Sequence, residues 1–273
     1  MDFRTKTLLE YVDRNQLGLE VGPSYNPVAP KSGGWRVETV DYLDAPALRE
    51  KYKAWGVDVS KVEDVDYVIS GGLGDAIPDR AGKYGWIIAS HVIEHTPDFV
   101  RFLQDCETLL VDGGVLSLAV PDKRYCFDVF QPHTSTGMVL QAYWEKRTRH
   151  SASLVFDGHA NHTTNDAGLA WSDAAPSNYA LVHTLAEAKA ITDGFRADNG
   201  YIDVHAWRFT PSGMRLVLQD LREMGHTSLG VITSTQTYGF EFFCTLKKGY
   251  KPEPTPRLEL LRATLSECNQ ARP

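Results

Sequence analysis

Short apolar runs of five or six residues punctuate the chain, each ended by glycine, proline or an acid and followed by a longer mixed stretch. Leu17–Val21 stops at Gly22-Pro23, Trp35–Val40 at Asp41, and Val65–Ile69 at Gly71-Gly72. Gly85–Ala89 comes next, then Val115–Val120, entered through the turn Asp112-Gly113-Gly114 and closed by Pro121. Runs this short and this apolar, bounded by turn residues, read as strands buried on both faces. Helical patterns fill the intervals over 4–16, 45–55 and 97–110. Strand–helix alternation implies βαβ units in a parallel sheet. Right-handed crossovers then gather the loops after each strand along one edge, where ligands bind.

The rhythm lapses between about 123 and 200, a stretch rich in aromatics, histidine and small polar residues with helical pieces near 137–149 and 183–197. It is too long for a plain loop and predicts a helical cap or substrate-binding insertion. Thr210-Pro211-Ser212 then opens a helix through Met224, with Thr210 as N-cap and Pro211 at the first helical position. Ser228–Thr235 and Phe240–Lys247, separated by Tyr238-Gly239, read as a closing antiparallel hairpin that brings the sheet to seven strands. The expected organisation is one α/β domain over 1–250, helices on both faces of a mostly parallel sheet, and a tail over 251–273 that is proline-spaced and then helical.

With 273 residues, 42% hydrophobic and 23% charged, the chain can bury a large core without staples. Its 28 basic and 35 acidic residues leave a net charge of −7, which repels nucleic acid on average. Lys123, Arg124, Lys146, Arg147 and Arg149 read as a solvated face. Cys106, Cys126, Cys244 and Cys268 form no CxxC pair, so reduced thiols fit better than a zinc knuckle or a disulfide framework. The charged first sixteen residues lack a signal-peptide core, and no apolar run nears the roughly 20 residues of a membrane span. A cytoplasmic protein is expected, and a homo-oligomer is compatible with the sequence.

The chemistry begins at Leu19-Glu20-Val21-Gly22-Pro23. A strand ending in acid-x-glycine lets backbone pass close to a ligand, and Asp41, at the end of the second strand, is placed to bind ribose hydroxyls. A dinucleotide would ask for GxGxxG at the first turn. Here the turn is Gly-Pro-Ser-Tyr-Asn-Pro after Glu20, an acid that opposes phosphate and suits a nucleoside carrying ammonium and sulfonium charges. S-adenosylmethionine (SAM) fits this pattern better than a nicotinamide dinucleotide.

These segments resemble class I SAM-dependent methyltransferases. Leu19-Glu20-Val21-Gly22 is similar to the family's first motif and Val40-Asp41-Tyr42 to its second. Ser90-His91-Val92-Ile93-Glu94-His95, followed by Pro97-Asp98, looks like the motif after the fourth strand, and Leu109–Leu116 resembles the entry to the fifth. Gly-Pro-Ser departs from the family's Gly-x-Gly, and Asp112 from its usual proline. The resemblance implies a Rossmann-like sheet, cofactor contacts from Glu20, Gly22, Pro23, Asp41 and Tyr42, adenine beside Gly72 and Leu73, and Ser90 and His91 near the methionine part. Pro121–Asp128 and Asp203–Pro211 resemble a bacterial subgroup associated with glycan and secondary-metabolite pathways.

Methyl transfer is a displacement at an activated carbon, so the protein mainly positions, and supplies a base if the acceptor is a hydroxyl. His91, His95, His162 and His205 are the candidate catalytic residues; Asp122, Arg124 and His159 are expected to line the acceptor pocket. His91, Glu94 and His95 would share a face if helical and could ligate a divalent ion, but loop orientation and capping by Glu94 and His95 is the preferred reading, without metal. Tyr143, Trp144, Trp171, Tyr179, Tyr201 and Trp207 could stack on an acceptor, although core packing is the plainer role of each. The expected activity is O-methylation of a sugar, glycan or other small molecule. A methyltransferase-like domain that binds without turnover, or an enzyme acting on protein or RNA, are the alternatives.

Overall fold

The computed structural model describes residues 1–172, 178–198 and 200–270. Residues 173–177 and 199 of the expected insertion, and 271–273 of the tail, lie outside these. The strands β1 (Gly18–Val21), β2 (Val37–Asp41), β3 (Tyr67–Val68), β4 (Tyr84–Ser90) and β5 (Leu110–Pro121) are parallel. A separate antiparallel ribbon joins β6 (Thr163–Thr164) to β7 (Ala180–Leu181). The hairpin β8 (Leu229–Ser234) and β9 (Glu241–Lys248) completes the main sheet, β9 lying antiparallel to β5. Its order is β3-β2-β1-β4-β5-β9-β8, seven strands as expected.

Alternation decides the two faces. On β4, Ile87 and Ala89 join the larger apolar cluster with Leu19, Leu116 and Leu118, while Trp86 and Ile88 turn to a second cluster with Val37, Val115 and Phe243. Gly18 on β1 is required by that second layer, because a Cβ there would sit 2.0 Å from the Trp86 ring. The first face is covered by α4 (Phe99–Leu109), whose Asp98 cap accepts from the Arg101 amide and whose Phe99, Phe102, Leu103 and Cys106 recur at helical spacing. The helix α8 (Pro211–Glu223) packs the same face through Met214, Val217, Leu218 and Leu221. The helix α1 (Phe3–Leu8) lies on the other face, where Leu8 joins Trp86 and Phe243, and α2 (Ala45–Ala54) and α3 (Leu73–Ala76) follow β2 and β3.

Several boundaries differ from the sequence pattern for local reasons. The opening helix ends at Leu8 rather than near 16: the chain leaves it through three-residue turn bonds from Glu10 to Thr7 and from Val12 to Leu9, and the Asp13 carboxylate then takes the Asn15 amide at 3.0 Å in a further turn. The expected Asp-Gly-Gly turn is absorbed into β5, which starts at Leu110 and passes Gly113 at φ +75°. Thr210 precedes Pro211 as expected but makes no side-chain cap; its amide instead donates to His133 Nε2 at 3.2 Å. Within the insertion, α5 (Thr136–Trp144) and α7 (Leu185–Ala197) fall where expected, and α6 (Ala152–Ala160), opened by the Ser151 cap, is additional. The tail helix α9 (Arg257–Gln270) returns to α8: Arg257 Nε meets Asp220 at 2.8 Å, and Ser212 Oγ donates to Glu267 at 2.7 Å. Among the described residues no helix is long and apolar enough to cross a membrane.

Candidate active site

The chain runs outward from β1 through β2 to β3 on one side and from β4 to β5 on the other, so the strand order reverses between β1 and β4. In open α/β sheets the crevice past the carboxyl ends of such a pair is the ligand site. Residues 20–24, 41–42 and 90–95 reach that edge.

Gly22 holds φ +65°, and a Cβ there would stand 2.9 Å from Val92 Cγ2, so backbone and the β4 loop approach as only glycine permits. Ser24 follows at φ +50°. Asp41 folds this turn onto β2: Oδ2 accepts the Ser24 amide at 3.0 Å and Oδ1 the Tyr42 amide at 2.8 Å. Burial raises the Asp41 pKa against the pull of those two amides. A carboxylate has about four acceptor sites, which leaves capacity for ligand hydroxyls. Pro23 is half-buried in the turn, and Tyr42 is exposed with its hydroxyl accepting from Lys51. Gly72 caps the short turn that begins at Leu73, and Leu73 itself is buried.

Glu20 is turned away from the crevice. It is 2% exposed, with Oε1 accepting the Val28 amide at 2.6 Å and Oε2 the Ala29 amide at 3.0 Å. Its carboxylate therefore clamps the 22–29 loop rather than displaying negative charge at the strand tip. Burial pushes its pKa up to about 7 despite those amides. Between about pH 4.5 and 7 the folded chain keeps a proton that the unfolded chain releases, so stability should fall as pH rises, by about 3 kcal/mol across the window. Urea unfolding of wild type and Glu20→Gln across this range checks it. The variant, which cannot ionise, should lose most of the slope, and an unchanged slope would exclude Glu20 as its source.

Past β4 the backbone turns at His91, φ +54°, a left-handed conformation that histidine tolerates better than most side chains. His91 Nε2 meets Glu241 Oε2 at 2.8 Å, at the start of β9. Arg4 of α1 bonds Glu241 Oε1 at 3.0 Å and also donates to Ser90 Oγ. Burial works to depress the His91 pKa, but the bonds and charges of Glu241 and Glu94 raise it to about 9. At neutral pH His91 is then an imidazolium, which donates protons and does not accept them.

Residues 93–95 form a single tight turn. Glu94 is fully buried, and neither carboxylate oxygen has a hydrogen bond of normal geometry. His91 Nδ1 stands 3.4 Å and His95 Nε2 3.8 Å from Glu94 Oε1. Burial raises the Glu94 pKa, but the three neighbouring imidazoles of His91, His95 and His205 outweigh it and hold it below its ordinary value. His95 Nδ1 pairs with Asp203 Oδ1 at 2.8 Å, and the same oxygen accepts from the Tyr201 hydroxyl at 2.9 Å. Burial lowers the His95 pKa, and Asp203 and Glu94 more than reverse that. His205 packs edge-on against His95, ring centroids 4.6 Å apart, and its Nδ1 meets Asp128 Oδ2 at 2.5 Å.

The sequence-derived set thus comes together in part. His91, Glu94, His95 and His205 converge, and His162 lies across the Phe127 ring from His205, at centroid distances of 4.8 and 4.5 Å from that ring. His162 Nε2 is buried with no hydrogen-bond partner, and burial lowers its pKa, followed by the charge of His183. His159 instead bonds the Val155 carbonyl through Nδ1. Asp122 and Arg124 do not open to an acceptor: Arg124 grips Asp122 at 2.6–3.2 Å, both are buried, and Thr237 closes the pair. Of the aromatics, Trp171 and Trp207 are core, Trp207 Nε1 donating to the Thr96 carbonyl, whereas Trp144 and Tyr201 are exposed. Asp128, Asp203, Glu241 and Arg4 were not foreseen as site residues. The Asp-x-His spacing of 203–205 does not find them, since Asp203 pairs with His95 and His205 with Asp128.

A family model described as a methyltransferase domain matches residues 5–173. No curated protein matches the sequence. Similar solved structures include a Rhodobacter sphaeroides protein provisionally described as a Zn-dependent alcohol dehydrogenase, 12% identical over 91% of this chain and 90% of that one, TM-score 0.49. A SAM-dependent methyltransferase from Methanosarcina mazei is 12% identical over 89% of this chain and 96% of its own, TM-score 0.45. The Burkholderia thailandensis 1,6-didemethyltoxoflavin N1-methyltransferase is 11% identical over 89% of this chain and 76% of its own, TM-score 0.44.

Proposed function

Because the chain belongs to the methyltransferase-domain family, and is a SAM-dependent methyltransferase, we propose that it methylates a hydroxyl of a small molecule or glycan, with His162 as general base. The observation that carries the base assignment is the His162 Nε2, buried, unpartnered and kept neutral by burial. The other three candidate imidazoles are engaged, His91 by Glu241, His95 by Asp203 and His205 by Asp128.

The crevice suits SAM. The Gly22 turn leaves no room for a Cβ beside Val92, and Asp41, fixed by two amides, offers its remaining acceptor sites to the ribose hydroxyls. Pro23 and Tyr42 would flank the nucleoside, Gly72 and Leu73 the adenine, and Ser90 and His91 the methionine end. Glu20 contributes by holding the loop in shape. When bound, SAM would supply the methyl carbon, which would pass from sulfur to the acceptor oxygen with the C–S electron pair staying on sulfur, while His162 would take the O–H proton. His159 would border the acceptor from the cap, and the Asp122–Arg124 pair would set the turn beneath it. The free, buried thiols of Cys106, Cys126 and Cys244 suit a reducing compartment such as the cytoplasm.

The test joins SAM calorimetry to a radiolabelled methyl-transfer assay over sugars, phenols, alcohols, amines and RNA. Label in a hydroxyl compound is the expected result. Label confined to amines, protein or RNA would overturn the hydroxyl reading, and SAM binding without transfer to any class would favour a binding domain.

A further inference from the structure

We propose that Glu94, His95 and His205 form a binding site for a borderline divalent metal ion of the Zn²⁺ type. One ligand atom from each lies within 4.8 Å of the other two. The spacing is wider than in a loaded tetrahedral site, and small side-chain movements close it around an ion whose ligand bonds are about 2.0–2.2 Å.

Two further observations point to a ligand. Glu94 is fully buried; the His91 and His95 imidazoles stand 3.4 and 3.8 Å from Oε1 without hydrogen-bond geometry, and Oε2 is buried with no hydrogen bond or ion pair among the described residues, a costly state for a carboxylate oxygen. Each imidazole also has its far nitrogen engaged by an acid, His95 Nδ1 by Asp203 and His205 Nδ1 by Asp128. Carboxylates in that position fix the ring orientation and raise the basicity of the free nitrogen, as the outer shell of metal sites does. His91 does not belong to the set, because its Nε2 is committed to Glu241.

Two imidazoles and one carboxylate favour Zn²⁺ or a neighbouring first-row ion over Mg²⁺, which prefers oxygen. Three protein ligands leave a coordination position open, as in catalytic zinc sites. An acceptor hydroxyl on that position would ionise more readily. This last role rests on the hydroxyl reading above; the site itself does not.

Apo protein should be titrated with Zn²⁺ by calorimetry and with Co²⁺ by visible absorption, with SAM binding measured on the same samples. One ion per chain at micromolar affinity or tighter is expected, without competition from millimolar Mg²⁺. His205→Ala and Glu94→Gln should abolish it. Asp203→Asn, at a largely exposed carboxylate and so a safe variant for folding, should weaken it about 10- to 100-fold. Absence of binding in wild type, or binding unchanged by His205→Ala and Asp203→Asn, overturns the proposal. A chain that binds SAM but no metal refutes this site alone, and one that binds metal but not SAM refutes the methyltransferase reading alone.

Discussion

Asp41→Ala is expected to lower SAM affinity about 100-fold. Hydrogen bonds to a charged acceptor contribute about 1.5–3 kcal/mol each, and about 2.7 kcal/mol is a factor of 100. The substitution also frees the Ser24 and Tyr42 amides, which loosens the turn that Gly22 places against Val92. Asp41→Asn keeps the shape but must set an amide group against one of those N–H donors, so it should fall between wild type and alanine. Calorimetry with SAM and S-adenosylhomocysteine reads both. Affinities within about threefold of wild type for Asp41→Ala would remove Asp41 from the cofactor site.

The second large effect is kinetic. His162→Ala should reduce kcat by about 10²–10⁴ on a hydroxyl acceptor while leaving SAM affinity unchanged, the signature of a lost general base. Its pKa is shifted down from 6.5, so in wild type the basic form already dominates at neutral pH and the rate should level off below pH 7. In the variant that acid limb should vanish, and the residual rate should climb with hydroxide. His162→Gln separates proton acceptance from packing against Phe127, since it retains bulk but no basic nitrogen. A kcat unchanged in both variants would move the base elsewhere in the cluster.

The sheet was legible because a doubly buried strand has no disguise. Ile87, Ile88 and Leu116 must be apolar on both faces, and the glycine, proline or acid after each run marks its end. Asp41 was legible for the same reason, since its place at a strand end is a matter of counting. What the sequence concealed was orientation. Glu20 lies on the expected strand, but its loop folds back so that the Val28 and Ala29 amides claim it, an outcome set by loop geometry rather than residue type. Residues 91–95, whose His91, Glu94 and His95 would share a face if helical, instead make a left-handed turn at His91 followed by one tight turn, which sets His91 between Glu241 and Glu94 and brings Glu94 near His95 and His205. Asp122 and Arg124 looked like acceptor ligands because two opposite charges two residues apart carry no hint that they will close on each other. Asp128 and Asp203 were hidden by distance, paired with histidines 77 and 108 residues away.

The bond from Arg4 to Glu241 spans 237 residues and that from His91 to the same carboxylate spans 150. A ribosome releases the chain from its amino end, so α1 and the β4 loop emerge long before their shared partner. Until β9 is out of the exit tunnel, the first helix has no acid to hold it and His91 no mate for Nε2. This edge can therefore be completed only after Glu241 has been released, and nascent chains stalled before it should carry the parallel strands without that shared contact.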